Sequence, residues 1–116
     1  MQKEVTKERI LSMIGMATRA GRTVSGMDAV VGALRVGIVF LVIVAEDASE
    51  KTKENVSFTA KNEDVPVFSF SERFTLGKFL GKEERVVCGI TDEGFSNKLQ
   101  QMLVELNKKK TDVVSV

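Results

Sequence analysis

The sequence predicts an α/β protein built as a three-layer α/β/α sandwich. Two apolar runs lack polar alternation, Ile38-Val39-Phe40-Leu41-Val42-Ile43-Val44-Ala45 and Arg85-Val86-Val87-Cys88-Gly89-Ile90, the pattern of strands buried on both faces. Around them lie segments with apolar residues at helical spacing. The resulting order, α-β-α-β-α-β-α-β-α, covers a sheet with helices on both sides. At 116 residues the chain fits one domain, a size that buries roughly two-thirds of its unfolded surface.

The first helix is expected from about Glu4 to Ala20, because Ile10, Leu11, Met13, Ile14 and Ala17 form one apolar stripe. Gly21, between Arg19 and Arg22, closes it. Thr23-Val24-Ser25 is too short to be more than an edge strand. Gly26 then precedes a helix from Met27 to Val36 whose inward residues are Met27, Val30, Val31 and Leu34, and Gly37 stops it. The first long apolar strand, Ile38 to Ala45, follows. Asp47 and Glu50 are spaced as a capping box for a helix from about Ser49 to Asn62, with Val56, Phe58 and Ala60 inward. Such a carboxylate pair could also serve acid–base chemistry or hold magnesium, but capping accounts for both residues at less cost.

Pro66 opens the strand Val67-Phe68-Ser69-Phe70, a position where strands tolerate proline. Ser71 caps a helix from Glu72 to Leu80, with Phe74, Leu76, Phe79 and Leu80 apolar and Gly81 at its end. Arg85 to Ile90 is the last strand. Thr91-Asp92 caps a final helix from about Glu93 to Lys108, with Phe95, Leu99, Met102, Leu103 and Leu106 as its core face. Residues 1–110 thus read as a single domain and 111–116 as a frayed tail. In a sheet covered on both faces, functional loops gather at one end. The turn at Gly26, the loop after Ala45 and the region from Gly77 to Arg85 are candidates to share that edge.

Composition narrows the chemistry. There is no His, which removes His-based triads, His general bases and most catalytic zinc sites. The lone Cys88 cannot form an internal disulfide, and its apolar run marks it as a buried, inert thiol in a reducing compartment. No metal site, cofactor or targeting segment is expected, and the longest apolar run is far shorter than the ~20 residues that span a bilayer. A cytoplasmic protein without a membrane partner follows. With a net charge of +1, a nucleic-acid partner requires a local basic patch. Without Trp or Tyr, any stacking on bases falls to Phe. The glycine before Met27 can either let a phosphate or base edge approach a helix N-terminus or simply begin an ordinary helix.

Four segments, taken in order and spacing, point further: Ile14-Gly15-Met16-Ala17-Thr18-Arg19-Ala20-Gly21 with Val24-Ser25-Gly26, then Val42-Ile43-Val44-Ala45-Glu46-Asp47-Ala48-Ser49, Leu76-Gly77-Lys78-Phe79-Leu80-Gly81-Lys82, and Gly89-Ile90-Thr91-Asp92-Glu93-Gly94-Phe95. The chain resembles, from about Arg9 to Leu99, the bacterial YlxQ-type branch of the kink-turn RNA-binding ribosomal protein family (the archaeal "seven-Ae" and eukaryotic "thirty-e" type). The resemblance implies a mixed four-stranded sheet, no enzymatic activity, and binding of an RNA duplex bent at a bulge beside sheared G·A pairs. The family's Gly-x-Asn-Glu-x-x-Lys motif falls on Gly26, Asp28, Ala29 and Gly32. Only its glycine is kept. Asp28 can accept from a guanine but cannot donate, Ala29 makes no glutamate contact, and Gly32 lacks the lysine.

The second element implied is the loop around Leu76 and Gly77, expected to cover the bulged base, with Arg73, Lys78 and Lys82 about it and Lys51 and Lys53 on the same side. Arg19, Arg22 and Arg35 complete the expected phosphate contacts. The leading function is thus a monomeric, ribosome-associated protein that recognises kink-turn or similar RNA, with ribosomal or translation-factor proteins as further partners. The alternative is a protein-interaction module on the same fold whose RNA affinity is weakened or lost.

Overall fold

Alternation within the buried strands decides the layers. The structure, a computed structural model, describes residues 4–114, with side chains placed as far as residue 108. It contains α1 (Lys7–Arg19), β1 (Thr23–Ser25), α2 (Met27–Arg35), β2 (Leu41–Val44), α3 (Glu50–Asn62), β3 (Val67–Ser69), α4 (Arg73–Phe79), β4 (Val87–Ile90) and α5 (Glu93–Val114). Successive side chains of a strand point to opposite faces. Leu41 and Ile43 of β2, with Cys88 and Ile90 of β4, therefore join one core with Ile10 and Ile14 of α1, Leu76 of α4 and Leu99 and Leu103 of α5. Val42 and Val44, with Val87, join a second core with Val30 and Leu34 of α2 and Val56 and Ala60 of α3. The expected three-layer α/β/α sandwich results.

The four-stranded sheet has the order β1-β4-β2-β3. β4 is antiparallel to β1 and β2, and β2 is parallel to β3, so the sheet is mixed. This topology puts the C-terminal ends of β1, β2 and β3 and the N-terminal end of β4 along one edge. The loops leaving that edge carry the candidate site.

Several local expectations are corrected. β2 starts at Leu41, not Ile38, because its ladder with β4 runs out at the Leu41–Ile90 pair, where the Phe40 N–H donates to Ile90 O at 2.8 Å while the Ile38 N–H turns back to Ala33 O. Ile38 and Phe40 are accordingly exposed. Phe58, expected inward, is exposed, and so is Phe74 of α4. Each lies two residues, about 200° around the helix, from a buried neighbour, Val56 and Leu76 respectively. Ser49, not Asp47, caps α3, its Oγ accepting the Thr52 N–H at 3.1 Å. Ser71 does not cap α4; it sits at φ 65° with its hydroxyl buried and unbonded, and Glu72 occupies the cap position, its carboxylate accepting from the Thr75 hydroxyl at 3.3 Å but from no backbone N–H of the helix.

Thr6 starts α1 by accepting the Arg9 N–H, three residues after the expected start. Asp92 does accept the Phe95 N–H at 2.8 Å, as expected of a cap. α5 continues as helix to Val114, past the expected end at Lys108. Of the expected tail, residues 115–116 lie outside the described residues. Cys88 is buried, and burial pushes its thiol up to about 12 from an ordinary 9.0, so it stays neutral at physiological pH. Among the described residues no helix is long and apolar enough to cross a membrane, and no group of three or more His, Cys, Asp or Glu is placed to hold a metal ion.

Candidate nucleic-acid interface

β1 must turn directly into α2, and Gly26 makes that turn at φ 93°, ψ 149°. A side chain is strained there, because L residues rarely adopt this region. The Gly26 N–H donates to Val87 O at 3.0 Å and closes the edge of the sheet, while its carbonyl accepts the Val30 N–H and begins the helix. A glycine cap supplies no side-chain acceptor for the first turn of α2. Asp28, Ala29 and Gly32 are all exposed, and nothing lies within 4 Å of a Cβ built on Gly32. Asp28 and Gly32, four residues apart, share a helix face.

Arg85 stands beside this turn. Its Nε lies 3.8 Å from where a Gly26 Cβ would be. It donates through Nε to Ser25 Oγ at 3.1 Å and through Nη1 to Glu84 O at 2.9 Å. The sequence places Arg85 at the end of the candidate edge region but not among the RNA contacts, since its anchor on Ser25 is long-range and has no local signal.

Arg73 opens α4 and ties the neighbouring loops together. Its backbone N–H donates to Asp47 Oδ1 at 2.9 Å, its Nε to Asp47 Oδ2 at 3.3 Å and its Nη2 to Asp47 O at 2.7 Å. Nη1 lies 3.7 Å from Glu84 Oε1. Lys53 Nζ donates to Glu46 O at 2.9 Å and steadies the same loop. Leu76 and Gly77, expected to meet RNA, are buried and present no surface to a ligand. Leu76 belongs to the core. Gly77 lets the 81–86 loop lie directly on α4, for a Cβ there would come within 2.5 Å of Glu84 Cα.

The expected cations are divided. Lys53, Arg73, Lys78 and Lys82 belong to α3, α4 and the loop after it, with Arg85 added by the structure; Lys51 is exposed in the first turn of α3. Glu46, Asp47, Glu72, Glu83 and Glu84 are interleaved with them along the chain, so this edge is mixed in charge, not a uniformly basic patch. Arg19, Arg22 and Arg35 lie elsewhere. Arg22 precedes β1 and its carbonyl accepts the Thr91 N–H just beyond β4, at the opposite end of the sheet from Gly26. Arg35 ends α2, about 13 Å along the helix from Gly26. Between α2 and α3 an open groove of about 540 Å³ runs past Asp28, Gly32, Arg35, Asn55 and the exposed Phe58.

Residues 8–100 match the model of the ribosomal protein L7Ae/L30e/S12e/Gadd45 family. The chain is 41% identical over 91 residues to the RNA-binding protein YlxQ of Bacillus subtilis, covering 78% of this chain and 91% of that one. It is 32% identical over 100 residues to the protein of the same name from Enterococcus faecium, covering 86% and 96%. The fold superposes on the solved structure of the Giardia lamblia 15.5kD RNA binding protein with a TM-score of 0.75, covering 92% of each chain at 15% identity.

Proposed function

The chain is a YlxQ-type member of the ribosomal protein L7Ae/L30e/S12e/Gadd45 family, and we propose that it is a non-enzymatic RNA-binding protein that engages structured RNA at the sheet edge around Gly26. The observation that carries this reading is the start of α2. A side-chain-free turn at φ 93° leaves the helix's first residues open, and the Arg85 guanidinium is fixed beside it. RNA of irregular shape is recognised by backbone and groove contacts of this kind.

The finer reading is a kink-turn. The Gly26 backbone approaches the sheared pairs, and Asp28 accepts from a guanine edge. The 81–85 loop lies over the bulge, and Lys53, Lys78, Lys82 and Arg85 meet phosphates. The protein then works as a cytoplasmic, ribosome-associated monomer. The test is binding to a kink-turn RNA and to a straight duplex of equal length across a salt series. Tighter binding to the kinked RNA with a steep salt slope is expected; equal, feeble binding to both overturns the reading.

The exposed Phe58 and open Gly32 in the α2–α3 groove favour a second reading, a protein-docking module on the same fold. Gly32→Lys separates the two. If Gly32 faces RNA, the added cation strengthens kink-turn binding by roughly 1 kcal/mol. If it faces a protein groove, RNA affinity does not move.

A further inference from the structure

Asp47 is an acid on a surface proposed to meet a polyanion, yet each of its oxygens is turned to Arg73. Oδ1 accepts the Arg73 backbone N–H, Oδ2 accepts Nε, and the backbone carbonyl accepts Nη2 at 2.7 Å. The remaining terminal nitrogen reaches Glu84. The Arg73 carbonyl in turn accepts the Arg85 N–H at 3.0 Å, and Arg85 is fixed to Ser25 beside Gly26. One chain of polar contacts therefore joins the loop after β2, the start of α4, the loop before β4 and the start of α2. Arg73 can serve Asp47 and Glu84 together because its guanidinium is a rigid, planar fork; a lysine has no such geometry. The Arg73, Asp47 and Glu84 side chains are 32%, 43% and 47% exposed. Pairs this open add little to global stability, but they are placed to select among loop arrangements.

We infer that Asp47 and Arg73 are positioning residues for RNA recognition. They hold the loops in the binding arrangement, and Arg73 is not itself a phosphate contact. The inference rests on the RNA reading above. It opposes what charge alone predicts. Removing an acid from an RNA surface tightens binding by electrostatics; removing a brace lowers the fraction of protein ready to bind, and the apparent Kd rises in proportion. Likewise, losing a phosphate-contacting arginine shallows the salt slope by about 0.7–0.9, whereas losing a bracing one leaves the slope unchanged.

The experiment measures kink-turn and straight-duplex binding across salt for the wild type, Asp47→Ala, Arg73→Gln, Arg73→Lys and the Asp47→Ala/Arg73→Gln double variant. Amide hydrogen exchange on each free protein runs alongside. Asp47→Asn, which keeps an acceptor for the Arg73 N–H, stands in if the alanine variant does not fold. Asp47→Ala and Arg73→Gln are each expected to weaken kink-turn binding by about tenfold with the wild-type salt slope. Arg73→Lys falls between, and the double variant loses no more than either single one. Without RNA, amides of residues 81–86 exchange faster while those of β2 and β4 do not change. Tighter binding by Asp47→Ala, or a shallower slope for Arg73→Gln with unaltered exchange, overturns the inference. A wild type that treats both RNAs alike overturns the RNA reading and the positioning role with it, while unaltered exchange beside intact wild-type discrimination overturns the brace alone.

Discussion

Gly26 answers to the backbone before it answers to any ligand. At φ 93°, ψ 149° it lies where a Cβ is strained by about 1–3 kcal/mol, so Gly26→Ala should lower unfolding stability by that amount, read from denaturant melts. On the RNA reading it should weaken kink-turn binding as well, since the added methyl stands between the ligand and the turn. That this glycine is special was legible in the sequence, because it sits between a strand and a helix. Arg85 was not, because its anchor, Ser25, is 60 residues away. Cys88 supplies a prediction of a different kind. The folded thiol stays protonated up to about 12, whereas an ordinary one ionises near 9.0. Between those values the folded state holds a proton that the unfolded state releases, so stability falls as pH rises, by about 1.4 kcal/mol per unit. Unfolding midpoints measured above pH 9 should drop more steeply in the wild type than in Cys88→Ala.

Elements were legible wherever their signal was local. The element order, the edge position of β1, the end of α2 at Gly37 and the Asp92 cap all follow from residues within a turn of one another. Signals failed where a partner was distant. Asp47 looked like the cap of α3, but its carboxylate takes the first N–H of α4, 26 residues on. Phe58 reads as inward beside Val56 and Ala60, yet helical phase turns it away from both, as it turns Phe74 away from Leu76. Gly77 shows the same limit, since a sequence reading gives its glycine a place in a ligand loop. Its real constraint is the Glu84 backbone, 2.5 Å from where a Cβ would be. Gly77→Ala should therefore force the 81–86 loop off α4 and cost about 1–3 kcal/mol. Thermal unfolding reads the loss, and amide exchange in that loop reads the displacement.

On the scale of the whole molecule, sheet topology sorts the cations that the sequence could only list. The C-terminal ends of β1, β2 and β3 and the N-terminal end of β4 share an edge, so loops far apart in the chain converge there. Arg22 precedes β1 and therefore stands at the other end, about 13 Å from Gly26 along the strand. In the linear sequence it is only four residues from that glycine, which is why it seemed part of the site. That distance exceeds the Debye length at physiological salt, about 8 Å, so Arg22 adds little to the potential at the edge. Arg85, beside Gly26, remains within reach of an RNA seated there. The two arginines carry the same charge, and only the fold distinguishes them. Arg85→Gln should weaken kink-turn binding and shallow the salt slope by about 0.7–0.9, while Arg22→Gln should leave both at wild-type values. A slope lost at Arg22 and kept at Arg85 would put the RNA on the opposite end of the sheet, where Arg22 lies beside Thr91 and the start of α5.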